Sequence, residues 1–448
     1  MPQRKFRYTT VTAVVVANMI GTGVFTSLGF QLLDIRSGFV LLMLWAIGGL
    51  TALCGAMSYA ELGAALPRSG GEYNFLARIY HPAAGFVSGW VSATIGFAAP
   101  SALAAITFAT YGASALPGGG SEWAQRLAAV ALVVALTAVH AVNRRSSGRT
   151  QVVFTVLKVA VIVIFCIAAL SISTSSEPVS FLPQPGDGAL LTSGAFAVSL
   201  IYVSYAYTGW NAATYLSSEL EEPQRTLPWI LIAGTSTVMF LYVLLNYVFL
   251  KVAPMDSMVG QVEVGFIAAQ AVFGDVGGRL TGFVLALLLI STVSAMTIAG
   301  PRVLQVIGED FQGLSWLART TDDGIPSIAI CLQSTLAIVF ILTSTFESIL
   351  VFAGFTLALN SLATVLGIFV LRIRQPDLDR PYRTFLYPIP PLIYLALTGW
   401  ILVFVMMDKP KESLLGLALI ATGLVFYYVS AWHSRNRSSR QEAAPTNP

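Results

Sequence analysis

A chain of 448 residues that is 56% hydrophobic and only 10% charged is excluded from the ordinary soluble class, where about 25% of residues are charged. The net charge of +3 decides little by itself, and the three cysteines, Cys54, Cys166 and Cys331, lie in apolar runs, which argues against a disulfide framework or a thiolate metal cluster. The expectation is an all-α integral membrane protein with no separate soluble domain.

The first apolar run, about 10–34, is read as a retained helix, since no small-residue cleavage site follows it. Met19-Ile20-Gly21-Thr22-Gly23 interrupts this run at its middle. Each glycine in a helix interior costs about 1 kcal/mol against alanine. At membrane depth a freed N–H or C=O must find protein or ligand, because there is no water. The stretch therefore reads either as a half-helix N-terminus that offers N–H groups to an anion, or as glycines that permit close packing or a satisfied kink.

Further spans of membrane-crossing length follow at about 38–66, 83–115, 125–142, 149–172, 191–217, 227–252, 275–303, 326–343, 347–371, 386–406 and 411–432, about twelve in all. Pro117-Gly118-Gly119-Gly120-Ser121-Glu122 marks a turn between the third and fourth. A polar, proline-bearing connection runs from Ser173 to Gly188. Residues 254–273 are expected to form a short amphipathic element at the outer surface. The basic tail from Arg435 onward reads as disordered. With both termini on the cytoplasmic side, about 18 Lys and Arg fall inside against about 6 outside, as the positive-inside bias requires.

The sixth span repeats the feature of the first. Tyr205-Ala206-Tyr207-Thr208-Gly209-Trp210-Asn211 breaks it at mid-length. The same event after five spans points to two inverted five-helix repeats, 1–172 and 191–371, with a site at the midplane between the breaks. Residues 386–432 add two helices, and 433–448 form the cytoplasmic tail. Lys158 lies about 13 Å into the fifth span at about 1.5 Å per residue, where an ammonium is expensive and marks function by default. It either snorkels to the inner interface or faces the bundle. Facing the bundle, it would donate to carbonyls freed at the first break, beside Gly21, and to the hydroxyls of Ser291, Thr292 and Ser294 on the eighth span. There it supplies the charge that a bound sodium ion would supply. Whether that charge is fixed or titrates stays open.

These residues resemble a known family. Ile20-Gly21-Thr22-Gly23-Val24-Phe25 is similar to the IGSGIF break of amino acid–polyamine–organocation transporters. Tyr59-Ala60-Glu61-Leu62-Gly63, running through Pro67-Arg68-Ser69-Gly70-Gly71-Glu72-Tyr73, resembles that family too, as do Glu219 to Pro228 and Gly300-Pro301-Arg302. Tyr205 to Asn211 looks most like the FAYGGWN stretch of L-type amino acid transporters. The resemblance covers most of the chain. It implies a LeuT-type fold, alternating access and an α-amino acid substrate.

It also implies roles for residues. The N–H groups of Thr22 and Gly23, with the Thr22 hydroxyl, would hold the substrate carboxylate. The carbonyls of Met19 and of the stretch near Tyr205 and Thr208 would hold the ammonium. Ile20, Gly21, Ala206, Gly209 and Asn211 complete the candidate substrate site, and Tyr205 is its candidate gate. No carboxylate adjoins the breaks, which favours a neutral amino acid. The expected function is sodium-independent exchange of neutral L-amino acids at the cell membrane (the inner membrane in a Gram-negative cell). A proton-coupled amino acid or amine symporter is the alternative. Unlike the light chains of heteromeric relatives, this chain has no cysteine at 116–126, so no disulfide-linked ancillary subunit is expected. Glu61 and the Glu219–Arg225 cluster read either as ion pairs of one transport state or as ordinary surface pairs, which contribute little.

Other classes lack their signatures. No H-E-x-x-H, G-x-S-x-G or paired intramembrane aspartate supports an enzyme, and no filter sequence supports a channel. No cofactor and no nucleic acid partner is implied. The partners expected are an amino acid and the bilayer.

Overall fold

The computed structural model describes residues 8–68, 70–118, 120–142, 148–172, 179–322 and 324–442, and among them every regular element is helical. In chain order these are α1 (Tyr8–Met19), α2 (Gly23–Gln31), α3 (Gly38–Ala65), α4 (Glu72–Ile79) and α5 (Pro82–Val91). A π-helical turn (Ser92–Gly96) joins α5 to α6 (Ala98–Ala115); α7 (Glu122–Val142), α8 (Gly148–Ile172), α9 (Asp187–Leu191) and α10 (Gly194–Ala206) follow. A 3-10 segment (Trp210–Glu219) leads to α11 (Pro223–Val252), α12 (Met255–Met258) and α13 (Val264–Asp310). A second 3-10 segment (Gln312–Ala318) precedes α14 (Ser327–Thr343), α15 (Phe346–Arg374), α16 (Ile389–Asp408) and α17 (Pro410–Glu442).

Ten helical stretches are long and apolar enough to cross a membrane, and two shorter apolar helices, α10 and α14, complete the expected set of about twelve. Helices are what such a chain must form, because a bilayer satisfies no backbone group from outside. Proline and side-chain caps set several starts. Pro82 opens α5, and His81 Nδ1 accepts from the Ala83 N–H at 3.1 Å. Ser193 caps α10 and Thr345 caps α15 in the same way.

The core lies where α1, α2 and α10 meet α3, α8, α11 and α15. Both interruptions are present. The first helix stops at Met19 and restarts at Gly23; the second stops at Ala206 and resumes as a tighter 3-10 turn at Trp210. The two breaks touch. A Cβ on Gly23 would stand 2.6 Å from the Ala206 Cα, and one on Gly209 would stand 2.8 Å from the Asn18 carbonyl oxygen. Gly209 also has φ +97°, a left-handed conformation that side chains other than glycine adopt at a cost. Glycine is thus required here by contact and by conformation, beyond simple helix packing.

Three expectations change. The third span is not one continuous α-helix, because the Ser92–Gly96 turn widens it beside the central cavity. The outer amphipathic element is joined to the eighth span in α13, across a kink at Gly274 with φ 69°. The tail is not irregular from Arg435, since α17 carries on to Glu442. Arg144, Arg145 and residues 173–178 of the expected loop lie outside the described residues, as does the Glu219 side chain.

Candidate functional site

A cavity of about 770 Å3 sits between the two breaks, within the range of about 300–1,000 Å3 usual for small-molecule sites. Met19, Gly21, Thr22 and Gly23 line it from the first break; Tyr205, Ala206, Thr208, Gly209 and Asn211 line it from the second. It extends to one end of the bundle, bordered there by Arg68, Tyr73, Arg302, Glu309 and Asp310. Toward the other end the path between α2 and α10 is shut. Phe30 stacks on Phe346 with ring centres 5.7 Å apart, Tyr202 leans on Phe30 at 5.9 Å, and Ser27 Oγ donates to the Tyr202 carbonyl at 3.4 Å. The cavity is therefore open on one side only.

The local backbone gives the site its polarity. Among the described backbone hydrogen bonds, none is donated by the N–H of Thr22, Gly23 or Val24, the groups that begin α2. Ile20 N–H still reaches Val16 in α1, and Phe25 N–H reaches Thr22. An unpaired run of N–H groups at a helix start draws an anion. Across the gap, α10 ends in carbonyls. That of Tyr205 is taken by the Thr208 N–H at 3.0 Å and the Thr208 hydroxyl at 2.6 Å.

Ile20 departs from its expected place. It does not line the cavity; its carbonyl turns the other way and accepts from Lys158 Nζ at 3.2 Å. Lys158 is 5% exposed and also donates to Thr292 Oγ1 at 2.8 Å. It faces the bundle and does not snorkel. Two expected partners of Lys158 are corrected. Ser291 Oγ donates to the Leu288 carbonyl of its own helix at 2.7 Å, and Ser294 Oγ pairs with His140 Nε2 of α7 at 2.8 Å. Helical geometry explains this: Thr292 lies on a different face from Ser291 and Ser294, which are three residues apart, and the Thr292 face is the one turned to Lys158. Gly21 and Thr292 do border the small void beside Lys158.

The Met19 carbonyl, expected to face the substrate ammonium, already has a donor. The hydroxyl of Tyr242, on α11, bonds it and also lies 3.2 Å from the Ala206 carbonyl oxygen. One buried phenol thus spans the two breaks. Sequence reasoning missed it, because a tyrosine in an apolar span carries no motif. It also passed over Glu72, which was quoted within Gly70-Gly71-Glu72-Tyr73 but given no role. Glu72 lines the cavity, is 2% exposed, and accepts from Asn211 Nδ2 at 3.2 Å. A carboxylate therefore does stand behind the second break, contrary to the expectation that none adjoins it. The only signal was a charged residue directly after two glycines.

At the end of the bundle beside α15, Glu61 is buried and held in two bonds of 2.8 Å by Arg372 Nε and Nη2, while the Thr384 N–H donates to it at 2.7 Å. Arg380 stands 3.7 Å away. Of the two readings for Glu61, the structure shows a buried, bidentate pair joining α3, α15 and the segment before α16.

An all-helical membrane bundle with a one-sided cavity between two broken helices is the architecture of a small-molecule transporter. The family model described as "Amino acid permease" matches residues 6–430, and the chain belongs to that family. It is similar to the b(0,+)-type amino acid transporter 1 of Mus musculus, at 27% identity over 94% of this chain and 86% of that protein. It is similar also to the large neutral amino acids transporter small subunit 2 of Oryctolagus cuniculus, at 28% identity over 94% of this chain and 79% of that protein. A third relative is the Asc-type amino acid transporter 1 of Mus musculus, at 26% identity over 94% and 80% respectively.

Proposed function

We propose that this permease exchanges neutral L-amino acids across the cell membrane by alternating access, without sodium. The observation that carries the reading is the pairing of unpaired N–H groups at the start of α2 with the carbonyl end of α10 across one cavity. A zwitterion offers the complementary charges, its carboxylate to Thr22 and Gly23 and its ammonium to the carbonyl side. Met19, Gly21, Ala206, Thr208, Gly209 and Asn211 surround it, and Tyr205 acts as its gate. The Ile20 carbonyl belongs instead to the Lys158 bridge. That bridge supports sodium independence, since the ammonium ties the first break to α13 as a cation would. Relatives named for neutral amino acids support the substrate class.

The two halves, 1–172 and 191–371, act as inverted repeats about the cavity. The recurrence of the break supports this. The open end is the cytoplasmic one, because the residues at its mouth fall on the Lys- and Arg-rich side. Four relatives named "small subunit" point to a larger partner for those proteins, which tempers the expectation of a lone chain. What supports it is that no cysteine occurs between 116 and 126.

Proton-coupled symport is a second reading, favoured by one observation. Lys158 is bonded to a carbonyl and a hydroxyl, and among the described residues it has no carboxylate partner. Uptake into sealed vesicles with choline in place of sodium, with and without internal amino acid and a pH gradient, separates the readings. Exchange predicts trans-stimulation without a gradient. A strict sodium requirement defeats both.

A further inference from the structure

Glu72 opens α4, in the connection between the second and third spans, and is buried with its carboxyl among three other elements. Its Oε1 accepts from the Tyr59 hydroxyl of α3, from Asn211 Nδ2 of the 3-10 segment at 3.2 Å, and from Ser361 Oγ of α15 at 3.1 Å. Its Oε2 accepts from Asn360 Nδ2 of α15 at 2.5 Å. All four donors are neutral. The other titratable groups that face it are phenols, Tyr215 from the 3-10 segment and Tyr394 from α16. On its own segment, Arg68 and Tyr73 border the same cavity, and Tyr73 bonds Asp310. The arginines of α15 and the loop after it, Arg372 and Arg380, are engaged with Glu61. Among the described residues Glu72 has no salt-bridge partner.

A buried carboxylate without a cation is costly, and it is usually retained for a reason other than stability. We propose that the Glu72 carboxyl is a proton-binding site that links amino acid translocation to the pH on the open side of the cavity. The inference rests on the reading that this cavity carries the substrate.

The hydrogen bonds supply the mechanism. The ionised carboxylate uses all four donors and so ties α3, α15 and the 3-10 segment together in the state shown. A proton on either oxygen turns an acceptor into a donor. A proton on Oε1 is donated to the Tyr59 or Ser361 hydroxyl, which rotates to accept it, and Oε1 is left with less acceptor capacity for its remaining donors, so the bond from Asn211 weakens. Asn211 lies two residues past Gly209, which makes the second break the element that feels the change. The proton comes from water in the cavity that Glu72 borders and returns to it, with no other reactant. Burial pushes the carboxyl above the usual carboxylate range, against the pull of its four donors. Glu72 therefore takes up its proton at a higher pH than an exposed glutamate.

The test uses the full chain in liposomes, with labelled L-leucine and L-alanine as probes, and varies pH on the cavity side from about 5 to about 8. Acid on that side is expected to raise wild-type exchange by about tenfold across the range, as the uptake of one proton permits. Glu72→Gln, which mimics the neutral form, is expected to hold a fast rate that no longer follows pH. Glu72→Asp is expected to keep the dependence. A Glu72→Gln profile that matches wild type overturns the proposal, as does a flat wild-type profile. Should Glu72→Gln fail to fold, proton uptake or release on binding L-leucine is measured on wild type in weak buffer. A proton change supports the site, and its absence overturns it. No exchange of any amino acid by wild type would instead defeat the transporter reading.

Discussion

The first and second breaks hold buried charge in opposite ways. At the first, an ammonium grips backbone directly, with Lys158 on the Ile20 carbonyl, and α13 shares the load through Thr292. At the second, a carboxylate grips side chains, with Glu72 on Asn211, and α15 shares the load through Asn360 and Ser361. Neither charge has an opposite charge beside it among the described residues. Both are instead satisfied by neutral dipoles, which can be rearranged without separating an ion pair. The pair thus teaches that one site uses charge to fix backbone and the other to fix an amide that faces the cavity. Tyr242 is the neutral element common to both breaks.

Substitutions sharpen the contrast, beginning with the largest effect. Lys158→Met should cut exchange by about 100-fold, because the Ile20 carbonyl is left buried without its donor, at a cost of about 1–3 kcal/mol that falls on the moving helix. Initial rates in liposomes measure this. Gly23→Ala should follow, with about 10-fold weaker binding, since its methyl meets Ala206 and overpacking costs about 1–3 kcal/mol. Saturation binding of labelled L-leucine checks it, and unchanged affinity would show that the breaks are not in contact. Tyr242→Phe removes one hydrogen bond, worth about 0.5–1.5 kcal/mol, and should shift KM by about two- to tenfold while leaving the sodium response unchanged. The smallest effect is expected at the exposed Arg36–Asp256 pair, where Asp256→Asn should alter stability by less than about 1 kcal/mol in thermal melts.

Spans were legible because membrane-crossing runs are long and nearly uncharged, and about twelve could be marked. The breaks were legible because Gly21, Gly23 and Gly209 interrupt such runs. The π-helical turn at Ser92–Gly96 was not, since its residues occur in any apolar span and only the widened hydrogen bonding distinguishes them. Lys158 announced itself as a cation well away from the ends of its span. Its partners did not: Thr292, Ser291 and Ser294 look alike in sequence, and rotation about α13 decides which one faces the ammonium. Glu72 was visible as a residue but not as a buried one. A charged side chain between two spans normally reaches water, and here the packing of α4 on α15, with Phe75 against Tyr59 of α3, denies it.

What the order of residues settled alone was the bilayer as solvent, the helical class and the two places where the helices break, because each follows from local hydropathy and backbone freedom. What required the folded bundle was which donor meets which acceptor. Ile20 turned to Lys158, Met19 turned to Tyr242 and Asn211 turned to Glu72 through contacts between residues 138, 223 and 139 positions apart, and no local rule reaches over such separations.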